Sequence, residues 1–388
     1  MNSTLNFPIY LDNNATTRVD WRVVEAMIPF FTKYYGNASS SSNSFGWEAE
    51  AAVVNAREQV AQLINAEPSE IIFTSGATES DNLALKGIFE MYSVKGNHFI
   101  TVQTEHKAVL DTCLHLKKKG AEITFLPVKE DGLIDLQVLE EAIKPTTLLI
   151  SVMYANNETG IIQPIKEISA IAKKNGILFF SDATQAVGKI PVDVVKDGID
   201  VLSFSSHKIY GPKGVGALFL KRKNPRVRIT AQMHGGGQER GLRSGTLNVP
   251  AIVGFGKACE LCKSEMVYDF QQTEKLRDKL ENALLKIKGI HLNGNVQHRL
   301  PNVSNMSFEN VKAVELISKL SEKIALSSGS ACTSETHQPS YVLKALGLND
   351  EMALSSIRFG LGRFTSEEEI DFTIHELSKI IIEYDYKG

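Results

Sequence analysis

The chain has 388 residues, of which 43% are hydrophobic and 22% are charged, and its formal net charge is −3. This composition excludes a disordered chain and provides no general attraction for nucleic acid or for an anionic membrane surface. No apolar run approaches the ~18 residues that a membrane-spanning helix needs. The start, MNSTLNFPIYLD, has neither the basic nor the apolar region of a secretory signal, so we predict a cytoplasmic protein.

Seven short apolar runs alternate with helical patterns between about residue 50 and residue 230. The runs are IIFTS at 71–75, HFITV at 98–102, ITFLPV at 123–128, TLLISVM at 147–153, ILFFSD at 177–182, VLSFSS at 201–206 and VGALFL at 215–220. Helical patterns at 48–64, 110–121, 136–144 and 165–176 separate them. Because the runs are apolar on both faces, we predict an α/β domain with a mostly parallel seven-stranded sheet flanked by helices.

The pattern changes after about residue 250. A long helical stretch ends near KLENALLKIKG, short strands follow at HLNG and VSNMSF, and further helices are predicted around VELISKL and after SEEEID. This succession predicts a smaller α+β domain. We therefore expect a large domain at 18–255 and a small domain formed by 1–17 and 256–388.

Lys208 lies just past the end of a predicted buried strand, in SFSSHKIYGPKGVG. An isolated lysine is most often a solvated surface residue. Here two serines and a histidine precede it at a strand end, where small polar groups can hold a phosphate while the amine forms a Schiff base. The glycines that follow fit neither the P-loop nor the dinucleotide-binding motif, so we reject a nucleotide site of those kinds.

Asp182 ends another apolar strand, in FFSDATQAVG. A buried carboxylate needs a cationic partner, because an unpaired buried charge is costly. If Lys208 holds pyridoxal phosphate, that partner is the pyridine nitrogen, and Gln185 is placed to donate to the ring hydroxyl. The alternative is that Asp182 is an N-cap at the strand end that satisfies the next helix, which the residues alone favour about equally.

Two strand-to-helix junctions carry further candidates. In IIFTSGATESDNLALKGIF, Thr78 lies among the first backbone N–H groups of a predicted helix, which is a suitable site for the cofactor phosphate. The same letters also make an ordinary capping box. In TVQTEHKAVL, His106 could stack on a flat ring and shuttle protons, although a lone histidine is more often structural.

Cys332 lies in SSGSACTSE at 327–335, among small, polar and glycine residues. A packing cysteine would have large apolar neighbours instead. The other three cysteines are Cys113, Cys259 and Cys262, and four cysteines are too few to crosslink a chain of this length. Disulfide bonding therefore does not explain Cys332, and these observations leave its role open.

The motifs FTSGATESDN, TEHKAV, NNETG, SDATQ, SSHKIYGPKGVG, RSGTLN, SSGSACTS and IRFGLGRF occur in this order. The combination resembles the cysteine desulfurases, which are fold-type-I pyridoxal phosphate enzymes of the class V aminotransferase family. The resemblance extends from YLDNNATT at 10–17 to SEEEID at 366–371. SSGSACTSE followed by PSYVLKALG is similar to the group I form (NifS/IscS type), in which the cysteine lies on a longer loop.

The resemblance implies a role for each matching residue. It implies Lys208 as the Schiff-base lysine, with Asp182 on the pyridine nitrogen, Gln185 on the ring oxygen and His106 stacked on the ring. It places the phosphate among Ala77, Thr78, Ser205, Ser206 and His207, with Thr246 of a neighbouring subunit completing the site in a homodimer. It implies that Asn157 lies near the cofactor and the substrate carboxylate, that Arg358 binds that carboxylate, and that Arg363 is structural.

The resemblance also implies the reaction, in which L-cysteine is converted to L-alanine and a persulfide forms on Cys332 for an acceptor such as an iron–sulfur scaffold or a thiolation enzyme. Lys208 and His106 are the expected proton carriers. Two alternatives stay open from the residues. One is an aminotransferase or β-lyase of the same fold in which Cys332 is incidental. The other is a non-catalytic thiol or metal protein that uses the pair Cys259 and Cys262, although buried or surface thiols on a helix are the more common case.

Overall fold

The structure is a computed structural model, and it describes residues 5–328 and 338–385. In this part of the chain the strands are β1 Ile9–Tyr10, β2 Ile71–Thr74, β3 His98–Val102, β4 Glu122–Leu126, β5 Thr147–Ser151, β6 Leu178–Asp182, β7 Val201–Ser205, β8 Gly216–Leu220, β9 Ile290–Leu292, β10 Val303–Phe308, β11 Ile324–Ala325 and β12 Ser356–Gly360. The seven strands predicted from the apolar runs correspond to β2 through β8.

The helices of the same residues are α1 Trp21–Met27, α2 Pro29–Thr32, α3 Ser44–Leu63, α4 Ala77–Tyr92, α5 Lys107–Lys118, α6 Leu136–Glu141, α7 Ile165–Lys174, α8 Val249–Leu284, α9 Ala313–Leu320, α10 Tyr341–Ala345, α11 Asp350–Leu354 and α12 Glu367–Asp385. Short 3-10 helices lie at Pro68–Glu70, Ser206–Lys208 and Glu239–Gly241. Within the described ranges, no helix combines the length and the apolar character that crossing a membrane requires.

β2 through β8 form one seven-stranded sheet in the order β2-β8-β7-β6-β5-β3-β4. β8 pairs antiparallel with both of its neighbours, and the remaining pairs are parallel. The prediction of a mostly parallel seven-stranded sheet is therefore confirmed. Since β8 alone is reversed, β2, β3, β5, β6 and β7 all end at the same edge of the sheet, which is where polar side chains were expected.

Both faces of the sheet are covered, as its continuous apolar strands require. The neighbours Phe179 and Phe180 on β6 belong to different clusters, because successive strand residues point to opposite faces. The cluster of Phe179 includes residues of α3, α7 and the first half of α8. The cluster of Phe180 includes residues of α4 and α5. The result is a three-layer α/β arrangement.

The C-terminal part of the chain forms a smaller α+β unit. β12, β10 and β9 make an antiparallel sheet in that order, and β1 pairs parallel with β11. Its apolar cluster combines residues of α8, α9 and α12 with Ile9 and Leu11 from the N-terminal segment. We propose that the division into 18–255 and 1–17 plus 256–388 holds, with α8 as a shared helix. Cys259 and Cys262, just past the proposed boundary, still pack in the cluster of the large sheet.

Candidate active site

A cavity of about 510 Å³ opens where the parallel strands of the large sheet end. The residues that line it include ten of the residues predicted from the sequence: Ala77, Thr78, His106, Asn157, Asp182, Gln185, Ser205, His207, Lys208 and Arg358. Most of them follow β2, β3, β5, β6 or β7 directly, so the sheet topology assembles them. Arg358 comes from β12 of the smaller unit.

Lys208 ends the 3-10 helix Ser206–Lys208 that follows β7. Its Nζ donates to the carbonyl oxygens of Asn14 at 2.5 Å and of Ala15 at 2.6 Å. Both acceptors belong to the N-terminal segment YLDNNATT. The lysine is therefore not a solvated surface residue, and its amine is held at the cavity wall by backbone that lies far away in sequence.

Asp182 lies at the end of β6, is 5% exposed and faces the cavity. Its Oδ1 accepts from the Thr184 backbone N–H at 2.9 Å, so it caps the following segment, which is a turn and not the helix that the alternative interpretation expected. It also keeps a carboxylate at the cavity, so the two interpretations are compatible. Gln185 donates from Nε2 to the Asn14 carbonyl oxygen at 3.0 Å, beside the acceptor of Lys208.

Two further acidic side chains lie buried near Asp182. Asp81 accepts from the Ser203 hydroxyl at 2.5 Å, and Glu105 accepts from the Met153 N–H at 2.5 Å. Burial, together with the negative charge of Asp182, raises the pKa of Asp81 and of Glu105 well above the usual range. Both groups therefore favour the neutral form.

His106 is the N-cap residue of α5, and its Nδ1 accepts from the Ala108 N–H at 3.1 Å. Because Nδ1 is an acceptor, the proton of the neutral imidazole lies on Nε2. Burial lowers the pKa of His106, which favours that neutral form. The ring lines the cavity with a flat apolar face and one ring nitrogen that can exchange a proton.

The N-terminus of α4 lies at one end of the cavity. Gly76 precedes the helix with φ +154°, and no side chain caps the helix there. The backbone N–H groups of the first turn, at Ala77 and Thr78, are therefore available to an anion. Glu79 also borders the cavity, but Arg243 pairs with its carboxylate at 2.7 Å and offsets its charge.

Arg358, on β12 of the smaller unit, contacts residues from two distant parts of the chain. Its Nη1 donates to the Asn157 carbonyl oxygen at 3.0 Å, and its Nη2 pairs with Asp12 at 2.6 Å. Among the described residues, Arg358 Nε and Asn157 Oδ1 are buried and have no hydrogen-bond partner. Buried polar atoms are normally satisfied, so these two atoms indicate a polar ligand group in the cavity.

Three predicted site residues are not brought to this cavity by the described part of the chain. Ser206 is buried, and its hydroxyl faces Gly211, where an added Cβ would come within 2.1 Å of Oγ. Thr246 is exposed and does not line the cavity. Cys332 lies outside the described residues.

Asn14 is a cavity residue that the sequence analysis missed. Its carbonyl oxygen accepts from both Lys208 and Gln185, and its side chain donates to the Asn157 carbonyl oxygen at 3.2 Å. The available signal was the polar run DNNATT directly after the short apolar stretch IYL. That signal is weak, because backbone carbonyls of any residue could accept these bonds.

The pair Cys259 and Cys262 lies on α8, and both thiols are fully buried in the large apolar cluster. Burial raises the pKa of both thiols, which opposes formation of the thiolate that metal binding requires. In the described ranges, no group of His, Cys, Asp or Glu side chains has the geometry to hold a metal ion. The two cysteines are packing thiols on a helix, as the more common case predicts.

The cavity residues fit pyridoxal phosphate. A primary amine, a carboxylate, a flat imidazole and an uncapped helix N-terminus surround one space, and they match the aldehyde, the ring nitrogen, the ring face and the phosphate of that cofactor. The unsatisfied donor Arg358 Nε remains for a second polar group that accepts, such as a carboxylate.

Comparisons with known proteins agree with this geometry. The family model described as aminotransferase class-V matches residues 9–372. The cysteine desulfurase IscS of Escherichia coli O139:H28 is 54% identical over 379 residues, which cover 97% of this chain and 93% of that protein. A solved structure described as a NifS-like protein superposes with a TM-score of 0.90 at 41% identity, and covers 97% of this chain and 99% of its own. A structure of SspA in complex with cysteine has a TM-score of 0.81 at 38% identity, and the match covers 92% of this chain and 100% of that one.

Proposed function

The chain belongs to the class-V aminotransferase family as a homologue of the cysteine desulfurases, and we propose that it transfers sulfur from L-cysteine to Cys332 and releases L-alanine. The family depends on pyridoxal phosphate, which when bound supplies a ring that withdraws electrons from the substrate carbon beside the amino group. The observation that carries the proposal is the placement of Lys208, Asp182 and Arg358 around one cavity.

We assign the cofactor end of the cavity as follows. The Lys208 amine would hold the cofactor covalently, and its Nζ would take the proton from the substrate carbon. Asp182 would place a carboxylate beside the ring nitrogen, and the His106 ring would stack against the cofactor. Gln185 would donate to the ring oxygen. The phosphate would be held by the N-terminus of α4 at Ala77 and Thr78 with Ser205 and His207, and Thr246 of a second subunit would reach it in a homodimer. Ser206, whose hydroxyl faces Gly211, would support its neighbour Ser205 from outside the cavity.

Arg358 and Asn157 bind the substrate carboxylate. The Arg358 guanidinium is planar and already held by Asp12, so its orientation is fixed before the substrate arrives. Asn157 and Arg358 each keep one unsatisfied buried polar atom, Oδ1 and Nε. A carboxylate accepts from Nε, which satisfies one of the two.

The placement of the chain on either side of the Cys332 segment supports its role as sulfur acceptor. The Ser327 carbonyl oxygen accepts from the Arg358 N–H at 2.8 Å. On the other side, the Ser340 hydroxyl donates to Glu158 at 2.6 Å, and Glu158 adjoins Asn157 in the NNETG loop. Both ends of the segment are therefore attached beside the residues proposed to bind substrate.

In the proposed sulfur transfer, the Cys332 thiolate forms a bond to the substrate sulfur as the carbon–sulfur bond breaks. The electron pair of the broken bond stays on carbon, which takes up a proton and becomes the methyl group of alanine. Cys332 gains one sulfur atom and becomes a persulfide, and no external oxidant is needed. His106 Nε2 is the proposed proton carrier for this step.

The test is mass spectrometry of the Cys332 peptide after incubation of the purified protein with L-cysteine, together with quantification of alanine. We expect one added sulfur on Cys332 and an equivalent amount of alanine. The peptide that contains the buried Cys113 is the internal control, since it should gain none. Alanine release without any added sulfur on Cys332 would contradict the proposal.

An aminotransferase or β-lyase of the same fold is the competing activity. Cys332→Ala distinguishes them, because only the desulfurase needs that thiol. Loss of alanine formation from cysteine in a variant that still shows cofactor absorbance supports desulfuration. Unchanged turnover of cysteine, or formation of a keto acid, would favour the competing activities.

We further propose that the enzyme is a cytoplasmic homodimer that delivers the persulfide sulfur to an acceptor protein, such as an iron–sulfur scaffold or a thiolation enzyme, without contacting nucleic acid or membrane. The name of the IscS relative and the exposed position of Thr246 support this proposal. Light scattering on purified protein is expected to give twice the mass of the chain, and a monomer would exclude Thr246 from the site.

A further inference from the structure

Lys189 is a buried lysine whose position the proposed chemistry does not explain. It is 8% exposed and does not line the cavity. Its Nζ donates to Gln185 Oε1 at 2.7 Å, four residues earlier along the turn that follows β6. Lysine is rarely buried without a charged partner.

The surroundings of Lys189 are electrostatically unfavourable. The nearby cations Lys208 and Arg358 disfavour the charged form of Lys189, and only the Cys262 thiol among the groups that act on it favours that form. A charge on Lys189 in turn lowers the pKa of His207. Burial, together with the two cations, lowers the pKa of Lys189 to about 7. An apolar side chain of the same length would avoid this cost, so the amine needs a specific reason to be there.

The hydrogen bond to Gln185 supplies such a reason. An amide side chain has one acceptor atom and one donor atom, and rotation by half a turn exchanges them. The amine donates through its N–H groups in the charged and the neutral form alike, and the atom that faces it is Oε1. Nε2 then points away from Lys189, where it donates to the Asn14 carbonyl oxygen at 3.0 Å and keeps its second N–H for the cavity.

We propose that Lys189 is a positioning residue for the cofactor: by donating to Oε1 of Gln185, it fixes the amide so that an N–H of Nε2, and not an oxygen, faces the ring oxygen of bound pyridoxal phosphate. This inference rests on the proposed function and on the assignment of Gln185 to the ring oxygen. Without Lys189 only the bond from Nε2 to the Asn14 carbonyl oxygen holds the amide, and a rotated amide would turn its oxygen toward a negatively charged oxygen.

The test compares Lys189→Met, Lys189→Arg, Gln185→Ala and the double variant Lys189→Met/Gln185→Ala with the wild-type holoenzyme. The cofactor dissociation constant is measured by equilibrium dialysis, and the visible absorption of bound cofactor is followed from pH 6 to pH 10. Lys196→Met, an exposed lysine seven residues away, is the matched control and should leave both quantities unchanged.

We expect Lys189→Met to weaken cofactor binding about tenfold, the effect of one hydrogen bond to a charged group. The pH midpoint of the absorption change should also rise, because a ring oxygen without its donor retains more negative charge and holds the adjacent proton to higher pH. In Lys189→Arg, the dissociation constant and the pH midpoint should both lie close to the wild-type values. In the Gln185→Ala background, Lys189→Met should change neither quantity further.

Wild-type affinity and an unchanged midpoint in Lys189→Met would overturn the inference, as would an effect that adds fully to that of Gln185→Ala. If Lys189→Met does not fold, Lys189→Gln keeps a neutral donor of similar length and should bind cofactor like the wild type; a tenfold loss there would also overturn it. Absence of cofactor absorbance in the wild-type protein would contradict the proposed function itself, which is a separate outcome.

Discussion

Arg358 donates from Nη1 to the carbonyl oxygen of Asn157 at 3.0 Å, and this bond joins β12 of the smaller unit to the loop that follows β5 of the large sheet. The same guanidinium pairs with Asp12 at 2.6 Å. Arg358 is 1% exposed, so its charge is held in a dry environment where a hydrogen bond to a ligand carboxylate is strong. The smaller unit and the loops of the large sheet thus both contribute to the cavity.

Arg358→Lys is expected to lower kcat/KM for L-cysteine about a hundredfold, mainly through KM. An ammonium cannot reproduce the planar fork that binds Asn157, Asp12 and a carboxylate at once. Steady-state kinetics of alanine formation measure the effect. L-cysteine methyl ester is the control substrate, because it lacks the carboxylate and should lose much less on substitution. Equal losses for both substrates would show that Arg358 acts on the fold and not on the carboxylate.

Substitution by asparagine can be compared at two neighbouring buried aspartates, Asp81 and Asp182. Because burial raises the pKa of Asp81, this residue already favours the neutral form, and Asp81→Asn should reduce kcat less than about tenfold. Asp182→Asn removes the charge proposed to lie beside the ring nitrogen and should reduce kcat at least about a thousandfold, an effect on the scale of a lost electrostatic interaction in a transition state. Similar losses in both variants would contradict these assignments.

Because the pKa of His207 is lowered in the folded protein, we expect the protein to lose stability on mild acidification. Burial, with the charges of Lys208 and Lys213, lowers the pKa of His207 from 6.5 to about 4. Between these two values the unfolded chain binds a proton that the folded chain does not, so the free energy of unfolding falls as pH falls from 6.5 to 4. Urea unfolding at pH 7.5, 6 and 5 should show a smaller decline in His207→Gln. A wild-type decline no steeper than that of the variant would contradict a neutral, half-buried His207.

Arg363 should stabilise the fold and leave the chemistry unaffected. It pairs with Asp269 at 2.8 Å and Asp20 at 3.1 Å, and it stacks over the Tyr210 ring at 4.4 Å. Arg363→Met leaves two buried carboxylates without this partner, so we expect a loss of about 3 kcal/mol in the free energy of unfolding. Lys275→Met is the control, because the exposed pair of Lys275 with Glu367 at 3.4 Å should contribute less than about 1 kcal/mol. Equal losses in the two variants would refute the buried network.

The sequence by itself determined the layout of the large domain. Seven apolar runs became β2 through β8, since strands buried on both faces need uninterrupted apolar residues, and this requirement is local. Lys208, Asp182 and His106 were identified because each follows such a run, and the ends of parallel strands meet at one edge. Strand position and residue type are properties of short segments, so short segments revealed them.

Only the tertiary structure decided which groups meet across long separations and which way each side chain points. Lys208 binds the carbonyl of Asn14, 194 residues away, and Arg358 binds that of Asn157, 201 residues away. Ser206 turns toward Gly211 although its neighbour Ser205 borders the cavity. Backbone carbonyls are the same in every residue, and side-chain direction depends on backbone dihedrals set by packing against distant segments, so no local pattern encodes these contacts.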